Sequence, residues 1–236
     1  MATSIVVTGH AGSGKSLLTE KFSAYLERMG YRVAMINLDP ASPPRYSADR
    51  DIRSFVRTEE VMIKHSLGIN GALLKSMEIG IEHLKELTVD DSYDFIIYDT
   101  PGQLELFVFT EFGENLVKNL ESKSVCVFLV DSSRINSPIH YAAAISQSAV
   151  VSMMLGIPSI AAFNKTDVME VRELEYYMKK IKDEGVLGEY FEGLLRFVEL
   201  TSIIYRPLRI SAKTEHGFYE LYTALNEVFC ACGDLS

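Results

Sequence analysis

Short apolar runs rich in β-branched residues alternate along the chain with longer stretches whose apolar positions repeat at helical spacing. The first run, Thr3-Ser4-Ile5-Val6-Val7-Thr8, predicts a buried strand over 3–8. After a glycine-rich turn, Leu18, Phe22 and Tyr25/Leu26 recur on one side of a helix expected over 15–29, which Gly30 ends. A second strand follows at 32–38, so a parallel, right-handed crossover is the expected connection. Further strands are expected at 93–98, 124–130, 158–163 and 206–210. Helices are expected at 104–121, 138–155, within 170–200 and at 216–230. Residues 45–92 carry no convincing strand; helices over 58–67 and 71–88 read as an insertion before the next strand.

Strands alternating with helices predict an α/β fold with a mostly parallel central sheet, helices on both faces and a helical insertion at about 45–92. No linker, repeat or low-complexity tract divides the 236 residues, so one domain spanning 1–236 is expected. An apolar fraction of 47% and a charged fraction of 23% suit a globular chain with a full core. The net charge of −9 argues against direct nucleic-acid binding, which needs a basic footprint. No run is long and apolar enough to span a membrane; with a strand expected from residue 3 and Gly at 233, neither a signal peptide nor a prenylation box is expected. Cys126 lies in an apolar run and reads as core, while Cys230 and Cys232 lack zinc-site spacing. A reducing, cytoplasmic location is therefore expected.

Candidate chemistry falls at the carboxyl ends of the expected strands, where ligands bind in such sheets. Gly9-His10-Ala11-Gly12-Ser13-Gly14-Lys15-Ser16 fits the phosphate-binding pattern G-x-x-x-x-G-K-[ST], between a strand and a helix as that motif requires. Gly12 and Gly14 let successive N–H groups turn inward, and the stretch Gly12, Ser13, Gly14, Lys15, Ser16 and Leu17 is expected to bind the phosphates. Lys15 would reach the β- and γ-phosphates, and the Ser16 hydroxyl would hold Mg²⁺. Asp99-Thr100-Pro101-Gly102-Gln103 closes another strand. There Asp99 can hold Mg²⁺ through water, the flexible Gly102 lets the following backbone N–H meet the γ-phosphate, and Gln103 can orient the attacking water. Asn164-Lys165-Thr166-Asp167 fits N-K-x-D, in which Asp167 accepts from N1–H and the exocyclic amine of guanine. The Lys165 stem can pack over the base, and Ser211-Ala212-Lys213 fits a loop that contacts guanine through backbone N–H groups.

With these motifs and Asn37-Leu38-Asp39-Pro40-Ala41, the chain resembles the GPN-loop GTPases over essentially its whole length. The resemblance implies a P-loop NTPase fold of the nucleotide-dimerised branch, beside the signal-recognition-particle and MinD-like NTPases. It also implies GTP and GDP as substrate and product, Mg²⁺ as cofactor, and a homodimer. In that family a Gly-Pro-Asn loop reaches the partner's nucleotide site; here the loop is Gly68-Ile69-Asn70. Losing Pro removes a fixed φ and frees one N–H, but Asn70 keeps the group that would act on the partner's phosphate. A plainer role also stands: Gly68 as the residue after one helix and Asn70 as the N-cap of the next. By resemblance, Asp39 is the first-switch acid near Mg²⁺ and the attacking water, giving Asp39, Gln103, Lys15 and Asn70 as the catalytic set. Eukaryotic members are tied to RNA polymerase II assembly or import, which makes RNA polymerase subunits the expected type of client.

Other features read more blandly. His10 is expected to face solvent; Arg45, Arg50 and Arg53 are candidate arginine fingers that fit solvated or ion-paired roles as well. Tyr141 to Met154 reads as core or dimer surface, and Val186 to Leu200 as core or a partner groove. Two further functional readings compete. A MinD/ParA-type ATPase would carry a second lysine early in the P-loop, where this chain has His10 and Ala11. A nucleotide-gated assembly scaffold or chaperone with incidental slow hydrolysis differs only in emphasis.

Overall fold

The computed structural model describes residues 2–89, 92–120, 123–172, 174–181, 185, 188–193 and 207–233. In chain order the elements begin with β1 (Thr3–Gly9), α1 (Lys15–Arg28), β2 (Val33–Asn37), β3 (Arg50–Asp51), α2 (Thr58–His65), α3 (Ile69–Ile81) and α4 (Leu84–Leu87). They continue with β4 (Phe95–Asp99), α5 (Leu104–Val108), α6 (Glu111–Asn119), β5 (Lys123–Asp131) and α7 (Pro138–Leu155). β6 (Ser159–Asn164), α8 (Leu174–Ile181), β7 (Leu208–Arg209) and a C-terminal helix (Phe218–Gly233) complete the described chain. The strands form one sheet in the order β3-β2-β4-β1-β5-β6-β7, every pairing parallel.

Helices cover both faces, so the inner strands are buried on both sides and read as continuous apolar runs. Alternation still decides which core each residue joins. Ile5, Val7, Val125 and Val127 pack with Leu18, Phe22 and Leu26 of α1 and Phe218 and Leu221 of the C-terminal helix. Val6, Cys126 and Phe128 face the opposite core, with Phe107, Phe112 and Tyr141. Cys126 is a buried free thiol bonded to the Thr8 hydroxyl at 3.0 Å, the core role its sequence context predicts. The order of connection reverses at β1, which lies between β4 and β5, and this opens the crevice at the strands' carboxyl ends.

The structure departs from the expected elements in the insertion and around α5. β3 pairs with β2 through Ile36↔Arg50 and Asn37↔Asp51, a two-residue polar edge strand with no periodicity to announce it. Its register is held by Asn37 Nδ2 donating to Asp51 Oδ1 at 2.8 Å. The helix expected over 71–88 starts earlier, at Ile69, and ends at Ile81, where N–H groups of Glu82 and His83 bond three residues back. His83 leaves helical geometry and stacks on Phe55, with ring centroids 4.6 Å apart. The helix expected over 104–121 splits at Phe109 and Thr110. The Thr110 hydroxyl donates to the Leu106 carbonyl at 2.7 Å and accepts from the Phe112 N–H at 3.3 Å, closing one helix and capping the next. Within the stretch 170–200, α8 and a helical segment at 188–193 are described; most of the expected face from Val186 to Leu200 lies outside the described residues. The strand expected at 206–210 is β7, two residues long.

Gly113 shows how tightly α6 is set. A Cβ there would lie 2.4 Å from the Phe107 carbonyl oxygen and 2.7 Å from Leu155 Cδ2. Alanine in place of a helical glycine ordinarily gains up to about 1 kcal/mol. Here Gly113→Ala should instead cost about 1–3 kcal/mol through overpacking, read as a lower denaturation midpoint at unchanged slope. A midpoint at or above the wild-type value would contradict that packing.

Candidate nucleotide-binding site

The P-loop links β1 to α1, whose first residue is Lys15. Gly14 takes the N-cap position at φ 101° and ψ 24°, with no side-chain cap on the helix's first N–H groups. Those donors and the positive helix end form an anion-binding cradle. Gly14 is demanded twice over, because a Cβ would also lie 2.4 Å from Asn164 Nδ2. The Lys15 side chain is folded back, its Nζ donating to the Gly9 carbonyl at 2.8 Å and the His10 carbonyl at 3.3 Å. Burial pushes its pKa down, while Asp99 and Asp39 pull it back up. His10 is half-buried at the rim of the loop, with its side chain on the exposed Gln147. Its Nε2 is 2.9 Å from Gln147 Oε1 on α7, and its ring meets Phe128 edge-on.

Two carboxylates face the P-loop from β4 and from the loop after β2. Asp99 is buried, and burial pushes its carboxyl up to about 6 against the pull of the nearby Ser16 hydroxyl, Lys15 and Tyr46. The Tyr46 hydroxyl donates to Asp99 Oδ2 at 3.2 Å, while Oδ1 is buried with no hydrogen bond of normal geometry, Ser16 included. Burial also raises Asp39, opposed by N–H groups of Ala41, Ser42 and Gly102 and by Lys15. Ser16, Asp39 and Asp99 supply hard oxygen donors, and the unpartnered Asp99 oxygen suits a hard cation. Among the described residues no group of three His, Cys, Asp or Glu could hold a metal alone. An ion such as Mg²⁺ takes one or two carboxylates and fills its shell with water and phosphate oxygens.

The third part of the site joins β6 to the loop after β7. Asn164 Nδ2 donates to the Ser13 carbonyl at 2.8 Å, and its Oδ1 accepts from the Ala212 N–H at 2.8 Å. One buried amide thus ties the P-loop to residues 211–213. Asp167 accepts from the Ser211 hydroxyl at 2.7 Å, and Thr166 donates its hydroxyl to the Ile210 carbonyl at 2.9 Å. Because the Ser211 N–H is bonded to the His216 carbonyl and the Ala212 N–H to Asn164, Lys213 supplies the open backbone donor of this trio. Lys165 sits at φ 68° and reaches Asp131 Oδ2 at 2.6 Å.

The remaining expected residues stand apart. Gln103 is exposed at the N-cap of α5, with no side-chain cap bond. Gly68, Ile69 and Asn70 are exposed at the start of α3, and among the described residues no backbone hydrogen bond links them to the P-loop of their own chain. The capping roles expected there are shifted: Ser66 is the left-handed residue ending α2, Gly68 is the N-cap of α3, and Asn70 lies inside its first turn. Arg53 is tied to the Pro40 carbonyl and to Glu59, each at 2.9 Å, an ion-paired rather than a free cation. Sequence reasoning missed Tyr46, which no pattern marks. It also assigned no role to Asp131, which ends β5 as Asp99 ends β4.

Asp99 gives the site a pH signature. A carboxyl lifted from 3.8 to about 6 on folding adds stability that is fully present below its unfolded value and lost as pH rises through about 6. In nucleotide- and metal-free protein, Asp99→Asn should therefore raise stability at pH 7–8 by up to about 3 kcal/mol, the gap closing towards pH 4. Thermal denaturation against pH checks this; a gap independent of pH would contradict it.

The family model described as "Conserved hypothetical ATP binding protein" matches residues 7–231. The chain is 34% identical over 249 aligned residues to the GPN-loop GTPase PAB0955 of Pyrococcus abyssi, covering 98% of this chain and 99% of that one. It is 34% identical to GPN-loop GTPase 1 of Dictyostelium discoideum over 74% of this chain, but spans 46% of that longer protein. It is 29% identical to GPN-loop GTPase 2 of Saccharomyces cerevisiae over 82% of this chain and 64% of the relative. Its fold matches the crystal structure of the apo form of the Pyrococcus abyssi GTPase with a TM-score of 0.83, at 31% identity and 98% coverage of both chains. The chain belongs to the GPN-loop GTPase family.

Proposed function

We propose that this chain binds GTP with Mg²⁺ and hydrolyses it to GDP and phosphate, as a homodimer whose residues 68–70 reach the partner's nucleotide site. The observation that carries the nucleotide reading is the Asn164 bridge, which joins a phosphate cradle to an N-K-x-D loop at one end of the sheet. Although the matching family model is described as ATP-binding, Asp167 favours guanine. Its carboxylate accepts two hydrogens from guanine, whereas the N1 of adenine would confront it with a second acceptor.

Phosphoryl transfer asks mainly for positioning and charge stabilisation. Phosphate oxygens replace the Gly9 and His10 carbonyls as partners of Lys15. Ser16, Asp39 and Asp99 would hold Mg²⁺, which would neutralise charge on the β- and γ-phosphates. Asp39 and Gln103 position water, whose oxygen bonds to the γ-phosphorus as the bond to the β–γ bridging oxygen breaks. GDP leaves with that bridging oxygen. Asn70 meets the phosphate of the other subunit. The exposed apolar residues beside it, Ile63, Ile69 and Leu74, are 83%, 52% and 47% exposed, which suits burial against a second copy. A scaffold role with slow hydrolysis draws support from the exposure of Gln103 in the single chain. RNA polymerase subunits as clients, and a cytoplasmic location, rest on family membership; among the described residues no helix is long and apolar enough to cross a membrane.

Asp167→Asn should move preference from guanosine to xanthosine nucleotides, and equal affinity of the wild type for GTP and ATP would overturn the guanine reading. Gln103→Ala and Asn70→Ala should each lower kcat by at least about tenfold while leaving GDP affinity near wild type. Mixing Asn70→Ala with Lys15→Ala subunits should restore turnover, because each heterodimer then carries one complete site. Heterodimers without turnover would contradict the shared site.

A further inference from the structure

Among the charged groups outside the family motifs, Asp131 touches the base end of the site through Lys165. Asp131, the last residue of β5, is paired through Oδ2 with Lys165 Nζ at 2.6 Å. Its other oxygen, Oδ1, accepts from the Ser133 N–H at 3.0 Å and the Ser133 hydroxyl at 2.7 Å, at the start of a short 3₁₀ turn over Ser132–Arg134. Both carboxylate oxygens are thus engaged, and the Asp131 side chain is only 12% exposed against 36% for Lys165. Burial opposes its ionisation, but Lys165 and Ser133 outweigh that and hold the carboxyl below its usual range. The same strand pairing that sets Asp131 opposite Asn164 fixes the distance between β5 and the N-K-x-D loop.

Lys165 is unusual at its other end too. It is a non-glycine residue at φ 68°, a backbone geometry that L side chains avoid and that surrounding contacts must maintain. The backbone on each side of it is pinned, by the two bonds of Asn164 and by the Thr166 hydroxyl and N–H to the Ile210 carbonyl. A lysine side chain carries much rotamer freedom, which a binding site must remove before the stem can serve as a wall. Here the stem is stretched between a pinned backbone and a pinned carboxylate, with no nucleotide required to set it.

The geometry points to Asp131 as a positioning residue for guanine-nucleotide binding: it holds the Lys165 stem as a preformed face of the base pocket. The inference rests on the guanine-nucleotide reading above and adds a residue that the motifs do not contain. Its effect falls on affinity, because the ammonium is anchored away from the reacting phosphate. Asp131→Asn keeps the shape and the Ser133 contacts but removes the charge that holds Lys165.

The test is a double-mutant cycle on full-length protein, reading GDP and GTP dissociation constants by calorimetry and steady-state GTP turnover. Asp131→Asn should weaken GDP binding about three- to tenfold and raise KM with kcat within about twofold. Lys165→Ala should weaken binding at least as much, and the double variant no more than Lys165→Ala alone, as two residues acting as one unit require. Ser133→Ala, which leaves Asp131 charged but held by one bond fewer, should give an intermediate loss and guards against Asp131→Asn failing to fold. Unchanged GDP affinity in Asp131→Asn and Ser133→Ala would overturn the assignment, as would losses that multiply in the double variant. A wild type that does not prefer GDP to ADP would instead overturn the guanine reading, so the two failures are distinguishable.

Discussion

The site depends first on one side chain, the amide of Asn164. Its nitrogen donates to the Ser13 carbonyl and its oxygen accepts from the Ala212 N–H, so two loops that never meet in sequence are held in one register. Both partners belong to buried residues, and a buried backbone group left unpaired costs about 1–3 kcal/mol. The bridge is therefore stronger as a constraint than a surface hydrogen bond would be. It also explains Gly14, where any Cβ would collide with the amide. The phosphate cradle and the base-reading loop are then parts of one object rather than neighbours.

The fold supplies the conditions for that bridge. Parallel pairing brings β1, β4, β5 and β6 to the same edge with their carboxyl ends aligned. Each strand delivers one polar group there: the P-loop after β1, Asp99 from β4, Asp131 from β5 and Asn164 from β6. Two cores of interleaved aromatic and aliphatic side chains clamp the sheet from both faces. That rigidity permits charges in a poorly solvated place. Burial displaces Lys15, Asp39 and Asp99 from their ordinary titration ranges; Lys15 partly restores both carboxylates and they partly restore it, while Asp39 pushes Asp99 further up. An arrangement of mutually dependent, incompletely satisfied charges is suited to receiving phosphate and a hard cation.

Much of this was legible in the sequence, for identifiable reasons. β1 and β5 are buried on both faces, so their apolar runs are continuous and unambiguous, and the P-loop, Asp99–Gln103 and Asn164–Asp167 are local motifs whose chemistry needs fixed spacing. What could not be read depends on contacts between distant residues. β3 exists because Arg50 and Asp51 align with Ile36 and Asn37, not because of their own propensity. The ends of α3 and α5 are set by His83 stacking on Phe55 and by the two bonds of Thr110. Tyr46 meets Asp99, and Asp131 meets Lys165, across sequence separations of 53 and 34 that no periodicity reports. The partners of His10, Gln147 and Phe128, likewise lie far along the chain.

The most direct measurement is the GDP dissociation constant of Asn164→Ala beside the wild type, with circular dichroism to confirm the fold. If one amide holds the phosphate and base loops together, affinity should fall about 100-fold with the secondary structure intact. A folded variant that binds GDP within about twofold of the wild type would contradict the account.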